Sequence, residues 1–140
     1  MADVDVVDRL IEGILNEDVN AIAACYTDDG VVDHPLYPKP ARGHDAIRAH
    51  QQILFDAFSD ISVDVRSRME GENVCAAEVV LRATNTGPID VGAQEPIPAT
   101  GKRIETRDVW VLDLTPEGLI TEERHYMDVA AHMRQLGLAG

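Results

Sequence analysis

The apolar residues of this chain keep a period of three to four up to Phe58 and a period of two after Asp60, and that change constrains the fold more than any single motif. Helices that come first and hairpin-linked strands that come after cannot build alternating strand–helix–strand units. The expected class is therefore α+β, with helices on one face of a mainly antiparallel sheet. In the helical part, Val4, Val7, Leu10, Ile11, Ile14 and Leu15 describe an amphipathic first helix. Asp18 and Asn20 are suited to cap a shorter second helix carrying Ile22, Ala23, Cys25 and Tyr26, which Thr27 to Gly30 closes with turn residues. His34-Pro35 then interrupts regular hydrogen bonding, because proline has no N–H and holds the preceding residue extended. From His44 to Phe58, Ala46, Ile47, His50, Ile53, Leu54, Ala57 and Phe58 return to helical spacing as a third helix.

Beyond Asp60, Ile61, Val63 and Val65 alternate with polar residues as in a half-buried strand, and Glu70 to Asn73 supplies a hairpin turn. Val74–Thr86, Arg103–Leu114 and Ile120–Met127 read as three further strands. The Gly- and Pro-bearing loop from Gly87 to Gly101 between the first two is a candidate lid or rim. At Asp128 the chain passes into a short helical pattern with Val129, Met133 and Leu136 on one side. Four strands wrapped against helices leave a concave space.

A chain of 140 residues fits one domain, 1–140, and buries roughly two-thirds of its unfolded surface. Twelve Lys and Arg against 25 Asp and Glu give a net charge of −13. Such a chain repels phosphate backbones and anionic membranes, so neither nucleic acid nor membrane is an expected partner. The N-terminus lacks the basic and apolar segments of a signal peptide, and no apolar run approaches the roughly 18 residues of a membrane span. The expected location is the cytoplasm. Cys25 and Cys75 stand far apart without metal-ligand spacing and are expected to be free, buried thiols. His44 and His50 are six apart, which does not put two ligands on one helical face, and no metal site is expected. Without a Gly-rich phosphate loop or a GxSxG elbow, no cofactor is implied either.

Asp128 has two readings. At a strand-to-helix junction its carboxylate can cap the new helix, or project from the end of the sheet into the concave space. His34, beside Leu36 and Tyr37, is a candidate pocket donor or a structural histidine. His125 is expected to be an exposed strand histidine and His132 a solvent-facing one.

The order and spacing of several short motifs resemble one family. They are Gly43, Ala46 and Ile47 opening the third helix, TNTG from Thr84 to Gly87, PATGKR from Pro98 to Arg103, RHYMD from Arg124 to Asp128, and MRQLG from Met133 to Gly137. Together they resemble the SnoaL-like polyketide cyclases of the cone-shaped superfamily named after nuclear transport factor two. The resemblance implies a barrel-like cone, with a curved sheet and three N-terminal helices over a concave pocket. It carries the family's acid/base aspartate onto Asp128 and a cavity-lining position onto His34. A polar pair two residues apart, Gln and His in the cyclases, matches Asp108 and Trp110 here, which keeps one polar group and replaces an imidazole with an apolar ring.

The chemistry so implied is acid/base ring closure, or a related proton transfer, on a small hydrophobic carbonyl or ester substrate. Asp128, His34 and Asp108 are the catalytic candidates, while Trp110, Tyr37, Phe55 and Tyr126 are the substrate-contact candidates. If Asp108 and Asp128 approach each other they can share a proton, one acting as base and the other as donor. Two alternatives stay open. A hydrolase of the limonene epoxide hydrolase type would need two Asp bridged by an Arg, and Arg82-Ala83-Thr84 does not supply that pair. The other is a noncatalytic ligand-binding or dimerisation module. Val79, Leu81, Val109 and Val111 are expected on the outer face of the sheet, where a homodimer or higher oligomer would cover them.

Overall fold

The computed structural model describes residues 5–92 and 95–138, so Val4 of the expected first helix lies outside the described residues. Helix α1 (Val6–Leu15) starts at Asp5, whose carboxylate accepts from the Val7 N–H at 2.7 Å and so satisfies one of the free donors of the first turn. Its stripe of Val6, Val7, Leu10 and Ile14 is buried, while Leu15 on the far side is exposed. Helix α2 (Val19–Ala23) is capped in the same way by Asp18. Helix α3 (His44–Ala57) begins after Gly43, whose φ of 88° suits a residue without a Cβ. Helix α4 (Val129–Leu136) ends on Gly137 in the left-handed conformation.

Among the described residues six strands form one sheet in the order β2-β1-β6-β5-β4-β3: β1 (Tyr26–Asp33), β2 (Ala41–Arg42), β3 (Phe58–Gly71), β4 (Val74–Asn85), β5 (Arg103–Leu114) and β6 (Ile120–Met127). All pairs are antiparallel except β1 with β6, and the sheet is curved and unclosed. The expected class therefore holds, with β1 and β2 added to the four expected strands. The residues read as a turn, Thr27 to Gly30, instead form a wide bulge inside β1, where Tyr26 pairs with Ile120 and Val31 already pairs with Glu122. Gly30 is required there, because a Cβ would lie 2.9 Å from the Cβ of Tyr26.

Alternation decides which side chains the cone encloses. On β5, Ile104, Thr106, Asp108, Trp110 and Leu112 are buried, while Arg103, Glu105 and Arg107 between them are exposed. On β4, Cys75, Ala77, Val79, Leu81 and Ala83 face the same way. Val79 and Leu81 consequently belong to the interior, which corrects their expected place on the outer face. Val109 and Val111 do lie outside, half-buried, on the face of the sheet that also carries ion pairs such as Arg82 with Asp64 and Glu105, both at 2.7 Å.

Ile22, Ile47, Leu112 and Ile120 are 0 % exposed and join α1, α2 and α3 to the sheet. Each such side chain contributes about 1.5–3 kcal/mol through burial, and Ile47→Ala would cost about 2–5 kcal/mol. A second cluster, with Phe58, Leu81, Ile104 and Leu136, seats α4 across the other end. There the Gln135 side chain accepts from the Glu105 N–H at 2.6 Å and donates to the Glu105 carbonyl at 2.9 Å. No helix of the described residues is long and apolar enough to cross a membrane. Cys25 and Cys75 are free and buried.

Candidate active site

Between the helices and the inner face of the sheet lies a cavity of about 170 Å³. Its walls are mostly apolar, with Leu10, Ile14, Leu54, Leu81, Ile104 and Leu136 among them. Its polar groups come from a few register-related positions. Trp110 on β5 pairs directly with His125 on β6, Leu112 with Glu123, and Asp108 with Met127. His125 and Glu123 therefore share the inner face with Asp108 and Trp110. The parallel pairing of Asp33 with Arg124 brings the next residue, His34, level with His125, and their ring centroids are 4.1 Å apart.

His125 is the hub of the polar groups. Its Nε2 is 2.9 Å from Asp108 Oδ2, its Nδ1 is 3.7 Å from Glu123 Oε2, and its side chain is 9 % exposed. Burial disfavours the charged ring, but Asp108 and Glu123 outweigh it and lift the pKa to about 9. At neutral pH the ring is an imidazolium between two carboxylates. Glu123 is oriented from behind by the Tyr26 hydroxyl, which donates to Oε1 at 2.6 Å. Tyr26 stays neutral, since burial and the adjacent Glu123 raise its pKa well above the ordinary value.

The other histidines are neutral. Burial, with the neighbouring His125 charge, pushes His34 down to about 2. Its Nδ1 accepts from the Leu36 N–H at 3.1 Å, so the ring proton sits on Nε2. Burial lowers His50 to about 4, against the pull of Glu123, and lowers His132 against the pull of Asp108. Several buried polar atoms have no partner among the described residues: Asp108 Oδ1, Trp110 Nε1, both ring nitrogens of His50 and Nδ1 of His132. Native interiors rarely leave such groups unpaired, and here all of them belong to residues of the cavity wall.

Of the residues singled out in the sequence, His34, Asp108, Trp110 and Tyr37 line the cavity together. Asp108 is 3 % exposed, not a strand-edge charge. Asp128 is elsewhere: it is exposed, and its Oδ1 accepts from the Ala131 N–H at 2.9 Å as the cap of α4. The reason is parity. With Glu123, His125 and Met127 pointing inward, the side chain after Met127 turns away, and Asp108 and Asp128 do not form a pair. The same alternation leaves Tyr126 55 % exposed, outside the cavity. Phe55 is buried in the core of helices and sheet, not in the cavity wall.

His125 and His132, expected in solvent, are both inside; Tyr26 and His50, read in the sequence only as helix residues, line the cavity as well, and Glu123 went unnoticed. Only Glu123 and His125, two apart on a strand, carried a sequence signal. Among the described residues no His, Cys, Asp and Glu cluster has the geometry to hold a metal ion.

The rim is the loop expected there. Ile89, Val91, Glu95 and Ile97 line the cavity, and Ile89 and Ile97 bridge each other. Buried Asn85 ties the loop down: its side-chain N–H groups donate to the carbonyls of Ala57 and Gly87, and its oxygen accepts from the Thr100 N–H and hydroxyl. At Gly87 a Cβ would come within 1.9 Å of the Asp56 carbonyl oxygen, so no larger residue allows that approach.

Comparison with known proteins agrees with this architecture. The chain resembles a candidate SnoaL-like polyketide cyclase from Jannaschia sp. CCS1 (TM-score 0.80, 19% identity, 96% of this chain and 91% of that one). It also resembles TsrD from Streptomyces laurentii (TM-score 0.78, 20% identity, 95% and 92%). A third likeness is to an epoxide hydrolase of M. tuberculosis similar to limonene epoxide hydrolase (TM-score 0.70, 17% identity, 94% and 86%). At these identities the likeness establishes the fold and no more. No curated protein sequence matches the chain. A family model for the SnoaL-like domain matches residues 7–123, and on that match the chain belongs to the SnoaL-like domain family.

Proposed function

We propose that this protein is an acid/base enzyme that moves a proton at the carbon next to a carbonyl of a small hydrophobic substrate, with ring closure of the cyclase type as the full reaction. The observation that carries this reading is the buried Asp108–His125 pair, in which one carboxylate oxygen is held at 2.9 Å and the other, Oδ1, has no partner beside an apolar cavity. In this scheme Oδ1 takes the proton from carbon. The enolate oxygen that develops accepts from the Nε2–H of neutral His34. The enolate carbon then attacks a second carbonyl of the same molecule, a carbon–carbon bond forms, and Asp108 returns its proton to the new alkoxide. Asp128 has no part in it, because its carboxylate is exposed and caps α4.

Hydrogen exchange in D2O tests the reading. Small ketones incubated with the protein should exchange their α-protons faster than in buffer, as followed by proton NMR, and Asp108→Asn should abolish the excess. Exchange that continues unchanged in that variant would sink the assignment.

One observation favours a second reading. Asp108, His125 and Glu123 form a carboxylate–cation–carboxylate row, with the imidazolium where an epoxide hydrolase of the limonene type has an Arg. One carboxylate would activate water while the other protonates the epoxide oxygen. Oxygen-18 from labelled water in the product would identify this reaction, since ring closure incorporates none.

We also propose a cytoplasmic homodimer. Val109, Val111, and Tyr126 and Met69, both 55 % exposed, are the apolar residues of the outer sheet surface that a second copy would cover. Light scattering that gives a monomer at high micromolar concentration would count against it.

A further inference from the structure

The unpaired atoms of the cavity specify a ligand more narrowly than its size does. Histidine rings are ambiguous, because a neutral imidazole both donates and accepts. Three groups are not ambiguous. Trp110 Nε1 can only donate, and it is buried without a partner on a residue 3 % exposed. Asp108 Oδ1 can only accept, and it too is buried without a partner. His34 donates from Nε2, because its Nδ1 already accepts the Leu36 N–H.

The charges add a second constraint. Asp108 and Glu123 face a single imidazolium, His125, and among the described residues lining the cavity there is no Lys or Arg. At the rim the exposed side chain of Glu95 adds a third carboxylate. A ligand carboxylate or phosphate would enter a low-dielectric space with more negative than positive charge, and its repulsion would be barely screened. The volume adds a third. A cavity of about 170 Å³ is close to the roughly 150 Å³ that houses benzene in an engineered protein core.

We infer that the cavity takes an uncharged compound with one six-membered ring inside the walls, an oxygen acceptor for the Trp110 and His34 N–H groups, and a hydroxyl donor for Asp108 Oδ1, and that it rejects the matching carboxylate. The inference rests on the acid/base reading for the choice of site, and it names the class of the ring-closed product, neutral hydroxy-ketones of single-ring size, and with it the class of the uncharged open-chain dicarbonyl precursor. Acids, phosphates and phosphate-bearing thioester carriers lie outside it.

Trp110 is the only tryptophan of the chain, so one indole N–H resonance in a nitrogen-15 correlation spectrum reports occupancy without any turnover. Three probes separate the elements of the proposal: 4-hydroxyacetophenone, 4-methylacetophenone, which lacks the donor, and 4-hydroxybenzoate, which carries the charge. The hydroxy-ketone should shift the indole signal saturably. The methyl compound should bind about tenfold more weakly and the benzoate about a hundredfold. Asp108→Asn should narrow the gap between ketone and benzoate, since the repelling charge is gone.

Equal affinity for benzoate and ketone overturns the inference, and so does the absence of any shift with all three probes at about 10 mM. Proton exchange on ketones together with equal benzoate binding would leave the acid/base reading standing and this one refuted. Discrimination without any proton exchange would do the reverse.

Discussion

Asp108 Oδ2 lies 2.9 Å from His125 Nε2 although the two residues are not register partners, since Asp108 pairs with Met127 and His125 with Trp110. The contact is diagonal across β5 and β6, and it leaves Oδ1 without a partner in the cavity wall. Asp108→Asn keeps the shape and removes the proton acceptor. Turnover should fall by about two to four orders of magnitude. The His125 ring, which titrates near 9 beside Asp108, should titrate lower in the variant as the imidazolium loses its nearest carboxylate, and NMR of the ring protons reads that shift. A loss of turnover with the His125 titration unmoved would contradict the pairing.

His50 is 9 % exposed and neither ring nitrogen has a partner. Its burial therefore costs stability that an apolar side chain of similar volume would recover. His50→Leu should stabilise the protein by about 1 kcal/mol, or about 3 °C in Tm. A urea midpoint lower than wild type would show that the ring is satisfied in solution.

The cavity histidines make stability depend on pH in two directions. His34 and His50 have folded pKa values near 2 and 4, below the ordinary 6.5, so below that pH the unfolded chain binds protons that the folded one refuses. Stability should fall on acidification by up to about 1.4 kcal/mol per pH unit for each of them. His125, raised to about 9, has the opposite sign: its contribution is complete below 6.5 and is lost as pH climbs through 9. Urea titrations from pH 4 to 10 should give a maximum near neutrality, with a shallower acid limb in His50→Leu. An unchanged acid limb in that variant would show that His50 is not held neutral.

For Asp128 the expectation is a stability effect alone. Asn caps a helix as well as Asp does, so Asp128→Asn should leave both turnover and Tm close to wild type, whereas Asp128→Ala should cost about 1 kcal/mol. A thousandfold loss of turnover in the Asn variant would return the catalytic role to this residue.

Class and element order were legible from local patterns. The Asp18 and Asp128 caps act within a few residues, and each is where the pattern puts it, whereas the change of period comes earlier than expected, since α3 ends at Ala57 and Phe58 already opens β3. Strand β1 was hidden because Thr27 to Gly30, good turn residues, sit in a bulge that exists only opposite β6.

The sequence by itself determined the α+β arrangement, the helix starts at Asp18 and Asp128 and the presence of Asp108 on a strand. Tertiary structure alone decided which face of β6 looks inward. The two apolar ends of that strand, Ile120 and Met127, have opposite parity, and a register shift opposite Asp113 and Leu114 reconciles them. Before that shift is known, the pattern cannot choose between an inward Asp128 and an inward His125. Pairing with β5 makes the choice, because slipping a strand by one residue exchanges its two faces. That one step placed His125 and Glu123 beside Asp108 and left Asp128 on the surface as a cap.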